Sequence, residues 1–305
     1  MSTSTWLKGN IHTHSTKSDG DSDPEHVADW YQENRYDFLV LSDHNHLTTL
    51  DRSASNQNRW PYLILGEELT IRLGGIPIHL NGIGIQQFIE PTAADTIVET
   101  LQQNVDLIRE AGGLAQINHP NYEWAFDAQD IMKISGASFI EVFNGNPCTN
   151  SFGGGGIPSV SQIWDRLLSN GQRIWGTAVD DAHHFLEEFA PDRSNPGRGW
   201  VVVHASMLKE TEILKAMAAG DFYASTGVTL GEVHAKNREL VLEIDSDDDS
   251  KFSTVFSGEH GRELWRADGA SARYAMSRLD VYVRATVYSS RGALAWTQPV
   301  FTYDS

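Results

Sequence analysis

Eight short apolar runs in the first two-thirds of the chain leave it little choice of fold class. They are "WLKGNIH", "FLVLSDH", "YLILGEEL", "IHLNGIGI", "GLAQINHP", "FIEVFNG", "RIWGTAVDDAH" and "GWVVVHA". Each is short, continuous and bounded by turn residues, which is the pattern of a buried strand. Between several of them lie segments with helical spacing. The first is "DPEHVADWYQENRY", where Asp23 is placed to cap the helix, Pro24 takes its first position, and Val27, Trp30 and Tyr31 share a face. The others are 95–111, closed by Gly112-Gly113, then 159–170, closed by Gly171, and 208–219, closed by Gly220. Repeated strand–helix units predict an α/β fold with a parallel sheet, and their number predicts a barrel over an open sheet.

Beyond "DFYASTG" the texture changes. Residues 229–305 hold short alternating runs, "ELVLEI", "STVFSG", "SARYAM", "LDVYVRATVYSS" and "LAWTQPVFTY", with the acidic "DSDDDS" among the turns. This predicts a small antiparallel β segment after a first domain of residues 1–228. The segment has no cluster of ligand-type residues, so its expected role is packing or access control.

The 41 acidic and 23 basic residues give a net charge of -18, which repels nucleic acid and anionic membranes. The expected partner is therefore a small molecule. No apolar run reaches the length of a membrane-crossing helix, and "MSTSTWLKGN" lacks the apolar core of a signal peptide. Cys148 is the one cysteine, so no intrachain disulfide forms and a cytoplasmic location is expected.

The chemistry lies at the strand ends. His12 and His14 close the first strand, Asp43 and His44 the second, and Glu67 and Glu68 the third. His79 opens "HLNGIGI", His119 closes "LAQINHP", and Asp181, His183 and His184 close "TAVDDAHH". In a parallel barrel all strand C-termini converge on one face, which brings these residues into one cleft. Imidazole and carboxylate together are the ligands of a divalent cation. Each motif alone has a plainer reading: an H-x-H pair in a core, Asp and Ser as helix caps, "GEE" as a solvated turn. All of these would have to hold at once to displace the metal reading. His26, His46, His204, His234 and His260 have no such partners in sequence and are expected outside the site.

The order "HTHS", "SDG", "LSDHN", "GEE", "NHP" and "DDAH" resembles the PHP family, named after polymerase and histidinol phosphatase domains. The resemblance covers roughly residues 6–226. "FYASTG" and the β tail look like the branch that includes carbamate hydrolases. The resemblance implies a distorted (β/α)7 barrel holding two or three divalent ions, with Mn, Zn or Fe all suited to the donor set. By position, His12, His14, Asp19, His44, Glu68, His79, His119, Asp181 and His183 match the family's ligands, and Glu68 its bridging carboxylate.

The reaction this implies is hydrolysis of a small phosphate mono- or diester by a metal-activated hydroxide. Asp43, Glu68 and His183 are the expected catalytic groups, and Arg72, His184 and Lys17 the expected substrate contacts. The same centre also suits a carbamate, ester or amide, whose carbonyl takes the same nucleophile. A non-catalytic metal-binding protein is the alternative outside the enzymes.

Overall fold

Capping chemistry sets the helices. In the computed structural model, residues 5–51, 59–186, 190–246 and 249–302 are described. The readings made on residues 1–4, the middle of "DSDDDS" and Tyr303 lie outside them. After strand β1 (Thr5–Asn10), helix α1 (Pro24–Glu33) starts where the Asp23 carboxylate accepts the His26 N–H at 2.8 Å. Val27, Ala28 and Tyr31 form its buried face. Helix α2 (Ile97–Glu110) is capped by Thr96 on the Glu99 N–H, and Gly112 leaves it at φ 83°. Helix α3 (Ala128–Ile131) is a single turn that the spacing does not predict. Ser159 and Gln162 cap helix α4 (Val160–Ser169) reciprocally, and Gly220 at φ 79° ends helix α5 (Glu210–Ala219). No helix among the described residues is long and apolar enough to cross a membrane.

The sheet differs from the expected one. Strands β2 (Phe38–Leu41), β3 (Tyr62–Leu73), β4 (Ile76–Ile83), β5 (Leu114–Ile117), β6 (Phe139–Asn144) and β7 (Trp175–Val179) follow β1 in spatial order. On the other side of β1 lie β8 (Trp200–Ala205) and β9 (Phe222–Ser225). Four of these contacts are parallel, but β3–β4, β4–β5, β1–β8 and β8–β9 are antiparallel. The cause of the first reversal is Gly74-Gly75, at φ 59° and 93°, a two-residue turn that only glycine fills at low cost. "GEEL" therefore does not end its strand: β3 runs on for 12 residues and folds back as β4. His79 stands in mid-strand, paired with Thr70, rather than at a strand start. The ladders also do not close into a (β/α)7 barrel. Beyond the strand ends, the chain after β7 meets the chain after β1 through one parallel bridge, Thr13 with Ala182.

The C-terminal strands extend the same sheet. Strand β16 (Leu294–Thr297) pairs with β9, and β15 (Tyr282–Ser289), β12 (Phe252–Ser257) and β13 (Glu263–Asp268) continue outward, all antiparallel. A separate sheet of β10 (Thr229–Lys236), β11 (Glu239–Asp245) and β14 (Ser271–Ala275) packs on it. Leu240 and Leu242 of β11 share one apolar cluster with Phe256, Val283 and Val287. A short strand, β17 (Val300–Phe301), pairs back onto β15.

Arg284 fastens this layer to α4. It is 3% exposed, and its Nε and Nη2 donate to the two Asp165 oxygens at 2.8 and 2.7 Å. Tyr282 adds its hydroxyl to the same carboxylate at 2.8 Å. Removing one member of a buried pair strands the other charge, at a cost of about 3–5 kcal/mol. Arg284→Met is therefore expected to lower unfolding free energy by about that much in a denaturant titration. A loss below about 1 kcal/mol contradicts this account of the joint.

Candidate metal centre

The strand ends do converge. His12 and His14 lie just past β1, His44 just past β2, His119 just past β5, and Asp181 and His183 just past β7. Glu68 and His79 reach the same point from within the β3–β4 hairpin, on one face of its ladder. Asp181 takes φ 48°, a left-handed conformation uncommon outside glycine. Its neighbour Asp180 is turned the other way and accepts the N–H groups of Gly197, Arg198 and Gly199 and the Tyr31 hydroxyl.

Four donors meet most closely: His12 Nε2, His14 Nε2, Glu68 Oε2 and Asp181 Oδ1. His12 Nε2 is 3.2 Å from His14 Nε2, 3.3 Å from Glu68 Oε2 and 3.3 Å from Asp181 Oδ1. His14 Nε2 is 3.3 and 3.2 Å from the same two oxygens. His12, His14 and Asp181 stand close enough together to hold one cation, and His12, Glu68 and His119 form a second such set. The protonation pattern agrees. His12 Nδ1 lies 2.6 Å from Glu141 Oε1, and a hydrogen held on that side leaves Nε2 as the nitrogen that would meet a cation once its own proton is displaced. Glu68 Oε2 is buried without a hydrogen-bond donor of its own, although imidazole nitrogens crowd it. Imidazole nitrogens and carboxylate oxygens gathered at these distances are a donor set for divalent cations, so the residues fit the group.

Glu68 turns its second oxygen to a different set. Oε1 lies 3.1 Å from His79 Nδ1, 3.4 Å from His119 Nε2 and 2.8 Å from the Asn118 amide that donates to it. A third group is more open. Asp19, 56% exposed at its side chain, stands 3.3 Å from His183 Nε2 and 3.6 Å from His44 Nε2. The nine residues named from sequence thus form four overlapping donor sets: His12 with His14 and Asp181, His12 with Glu68 and His119, His44 with Glu68 and His79, and His14 with Asp19, His44 and His183. They share His12, His14, His44 and Glu68.

The other expected site residues are placed differently. Asp43 is fully buried, and its oxygens accept from the Ser15 N–H and the hydroxyls of Ser15, Ser18 and Thr48. It fixes the loop that carries His14 and Asp19. Arg72 is exposed and pairs with Glu123 at 3.1 Å, and Lys17 is exposed on the loop after β1. His184 lines the pocket over the centre, a cavity of about 300 Å³, and its Nδ1 is buried with no hydrogen-bond partner. Tyr122, Asn146, Cys148, Asp192 and Ser194 share that lining and were not named from sequence. Nor was Glu141, which besides holding His12 accepts from the Gln116 and Asn144 amides and the His119 N–H. Its signal was a lone acid inside the apolar "FIEVFN".

Without a cation the site holds protons instead. Burial alone lowers an imidazole pKa, but Asp181, Glu68 and Glu141 outweigh it at His12 and hold the group well above its ordinary value. His44 is raised to about 10, because Glu68 and Asp19 overcome its burial. His14, buried and next to the His183 imidazole, is pushed down to about 4. Glu68 is held well below the usual carboxylate range; its burial acts the other way, and His12, His44 and His79 prevail.

Two outcomes follow. Metal analysis of the protein as purified, or after loading with Mn or Zn, is expected to find at least two equivalents; less than one contradicts the centre. Loading must also displace the protons on His12 and His44, whose raised values keep them protonated at neutral pH. Adding Zn to chelator-stripped protein near pH 7.5 should therefore acidify a weakly buffered solution, and affinity should fall as pH drops. Uptake with no proton release and equal affinity at pH 5.5 and 8 contradicts this.

No family model and no curated protein matches the chain. Among solved structures, a two-domain protein from Bacteroides vulgatus containing a predicted PHP-like metal-dependent phosphoesterase is similar over 97% of this chain and 96% of its own. Its TM-score is 0.54 at 15% identity. An amidohydrolase from Chromobacterium violaceum covers 61% of this chain and 93% of its own, with TM-score 0.42 at 18% identity. A proposed metal-dependent phosphoesterase from Bifidobacterium adolescentis covers 61% and 89%, with TM-score 0.40 at 14% identity. The Bacteroides likeness runs through the C-terminal strands as well as the donor-bearing ones, and it does not single out the carbamate-hydrolysing branch. Across nearly its whole length, the chain has the mixed α/β fold of a PHP-like two-domain protein.

Proposed function

We propose that the chain is a PHP-like, metal-dependent hydrolase of a small molecule, a phosphate mono- or diester first, working in the cytoplasm. The observation that carries this is Glu68, a buried carboxylate with each oxygen turned to its own set of imidazoles. A structural cation needs one closed shell of ligands, whereas a shared carboxylate between open sets is what a hydrolytic centre of two or three ions needs. The (β/α)7 barrel belongs to the same reading, and what supports it is the isolated Thr13–Ala182 bridge between the chain after β1 and the chain after β7.

Divalent ions held there supply an acidified water and polarise the bond to be broken. The chain's own residues do the rest. His12, His14 and Asp181 would hold one ion, Glu68 with the imidazoles of His12 and His119 or of His44 and His79 a second, and Asp19 with His14, His44 and His183 a third. Glu141 keeps His12 in the tautomer that presents Nε2 inward. His183 and His184 stand at the wall of the pocket, where a proton has to reach the leaving group. Tyr122, Asn146 and Ser194 offer hydrogen bonds to the substrate. Arg72, paired with Glu123, and Lys17, on the loop of Asp19, are the proposed substrate cations, and neither is among the residues lining the pocket.

One observation favours a second reading, hydrolysis of a carbamate, ester or amide. Among the described residues lining the pocket there is no Lys or Arg, while Asp19, Glu68, Asp181 and Asp192 are all acidic. A dianionic phosphate usually draws on Arg or Lys as well as ions.

The experiment is a panel of phosphate monoesters, phosphodiesters, aryl esters and carbamates, run with added Mn or Zn and with chelator, on wild type, Glu68→Gln and Glu67→Gln. Glu68→Gln is expected to lose at least one metal equivalent and about 100-fold or more in rate. Glu67 faces the opposite side of β3, where its Oε1 accepts the Ile89 N–H at 2.8 Å, and burial pushes its carboxyl up to about 7. A glutamine there keeps that acceptor, so Glu67→Gln should stay near wild type. Hydrolysis that survives chelator, or survives Glu68→Gln unchanged, removes the metal-hydrolase reading. Phosphate esters left intact while a carbamate or ester turns over moves the substrate to the second class.

A further inference from the structure

A second cavity, larger than the metal pocket, lies elsewhere in the molecule. A cleft of about 1190 Å³ lies at the other end of the strands. Its floor is the start of β1 at Trp6, the residues before β6, the start of β7 at Trp175, and the turn from α5 into β9. Its second wall is the small sheet, from Val233 to Arg238. None of the metal-pocket residues lines it.

The charge of this cleft inverts that of the chain. Acids outnumber bases 41 to 23 overall, yet among the described residues the lining holds Arg109, Arg173, Lys236 and Arg238, with His204 and His234 beside them, and Asp221 as the one acid. Acids accompany these groups, and Glu239 stands opposite Lys236 in the β10–β11 ladder. Asp106 is 3.8 Å from Arg109, and Glu232 is 3.1 Å from His234. The C-terminal end of α5 also points its carbonyls here, but the Trp175 indole N–H occupies that of Ala218 at 3.0 Å. Aromatic surface accompanies the cations. Trp6 and Trp175 are half-buried, Trp6 lies over the His204 ring at 4.6 Å, and the Arg173 guanidinium lies 5.0 Å from the Phe301 ring centre. Gathered positive charge beside aromatic faces, in a concave site large enough for an organic molecule, suits a ligand with a flat ring at one end and several negative charges at the other.

We infer that this cleft binds a small polyanion carrying an aromatic ring, of the nucleoside di- or triphosphate class, at a site separate from the metal centre. The phosphates sit among Arg109, Arg173 and Lys236, and the ring lies against Trp6 or Trp175. Such a ligand touches both the strand ends and the small sheet, so its binding stabilises the folded chain by mass action.

The test uses ADP, pyrophosphate and adenosine as probes in calorimetry and thermal unfolding, with the full-length protein kept in chelator so that no phosphate is held by metal. ADP is expected to bind more tightly than pyrophosphate, and pyrophosphate more tightly than adenosine. ADP should raise the melting temperature and weaken at least tenfold when salt rises from 50 to 500 mM. Arg109 and Lys236 are both exposed, so the double variant Arg109→Glu, Lys236→Glu should fold and load metal normally, yet lose at least tenfold in ADP affinity. Glu68→Gln should bind ADP as wild type does. The proposal is overturned if ADP fails to bind at millimolar concentration, if the double variant binds it unchanged while its circular dichroism matches wild type, or if Glu68→Gln abolishes binding.

Discussion

Glu68 is a carboxylate with no water around it, and every other part of the centre is arranged to make that tolerable. An isolated charge at such depth is too costly to keep. Here imidazole nitrogens stand on both of its oxygens, and they hold its pKa low against the full effect of burial. Those imidazoles are held in turn. Glu141 fixes His12, the Thr70 hydroxyl lies 2.6 Å from His44 Nδ1, and the Asp181 carbonyl lies 2.9 Å from His183 Nδ1. The donor set is positioned by hydrogen bonds that involve no cation, so little reorganisation is left for the moment of binding.

Much of this was legible in the chain. A histidine or acid just past a buried strand points the same way whatever loop follows, so His12, His14, His44, His119, Asp181 and His183 could be placed from strand ends alone. The helix caps at Asp23 and Gly220 were equally visible, because capping is local chemistry. What was missed depends on pairing between distant segments. Gly74-Gly75 was a readable hairpin signal, yet without it His79 looked like the start of a parallel strand. Glu141 and Asp43 show the limit on the other side. Both are buried acids near the site, but nothing in "FIEVFN" or "LSDH" tells which one orients a ligand and which one ties down a loop. That is decided by partners 28 to 129 positions away.

The C-terminal strands show how packing overrides a division drawn from texture. The change to alternating runs at residue 229 is real, since β11 alternates buried and partly buried along its length. Yet β16 pairs with β9, and Arg284 reaches into α4, so the later strands complete the sheet of the earlier ones. An edge strand at β9 would expose a row of unpaired backbone groups, and β16 covers it.

The two concave sites therefore lie at opposite ends of shared strands. Strand β1 carries Trp6 in the cleft and leads into His12 at the centre, six residues or about 20 Å apart. At physiological ionic strength the screening length is about 8 Å, so charge bound at one end is nearly invisible at the other. Anionic groups in the cleft and cations at the centre would then bind without direct electrostatic influence on each other. Any coupling between them has to be mechanical, through β1, β8 and β9, whose residues face both ends. Val201, Val203 and Ala224 of β8 and β9 are at 0% exposure, and a closely packed strand transmits displacement poorly unless its neighbours have a second arrangement to adopt. The physical expectation is two nearly independent sites on one rigid sheet.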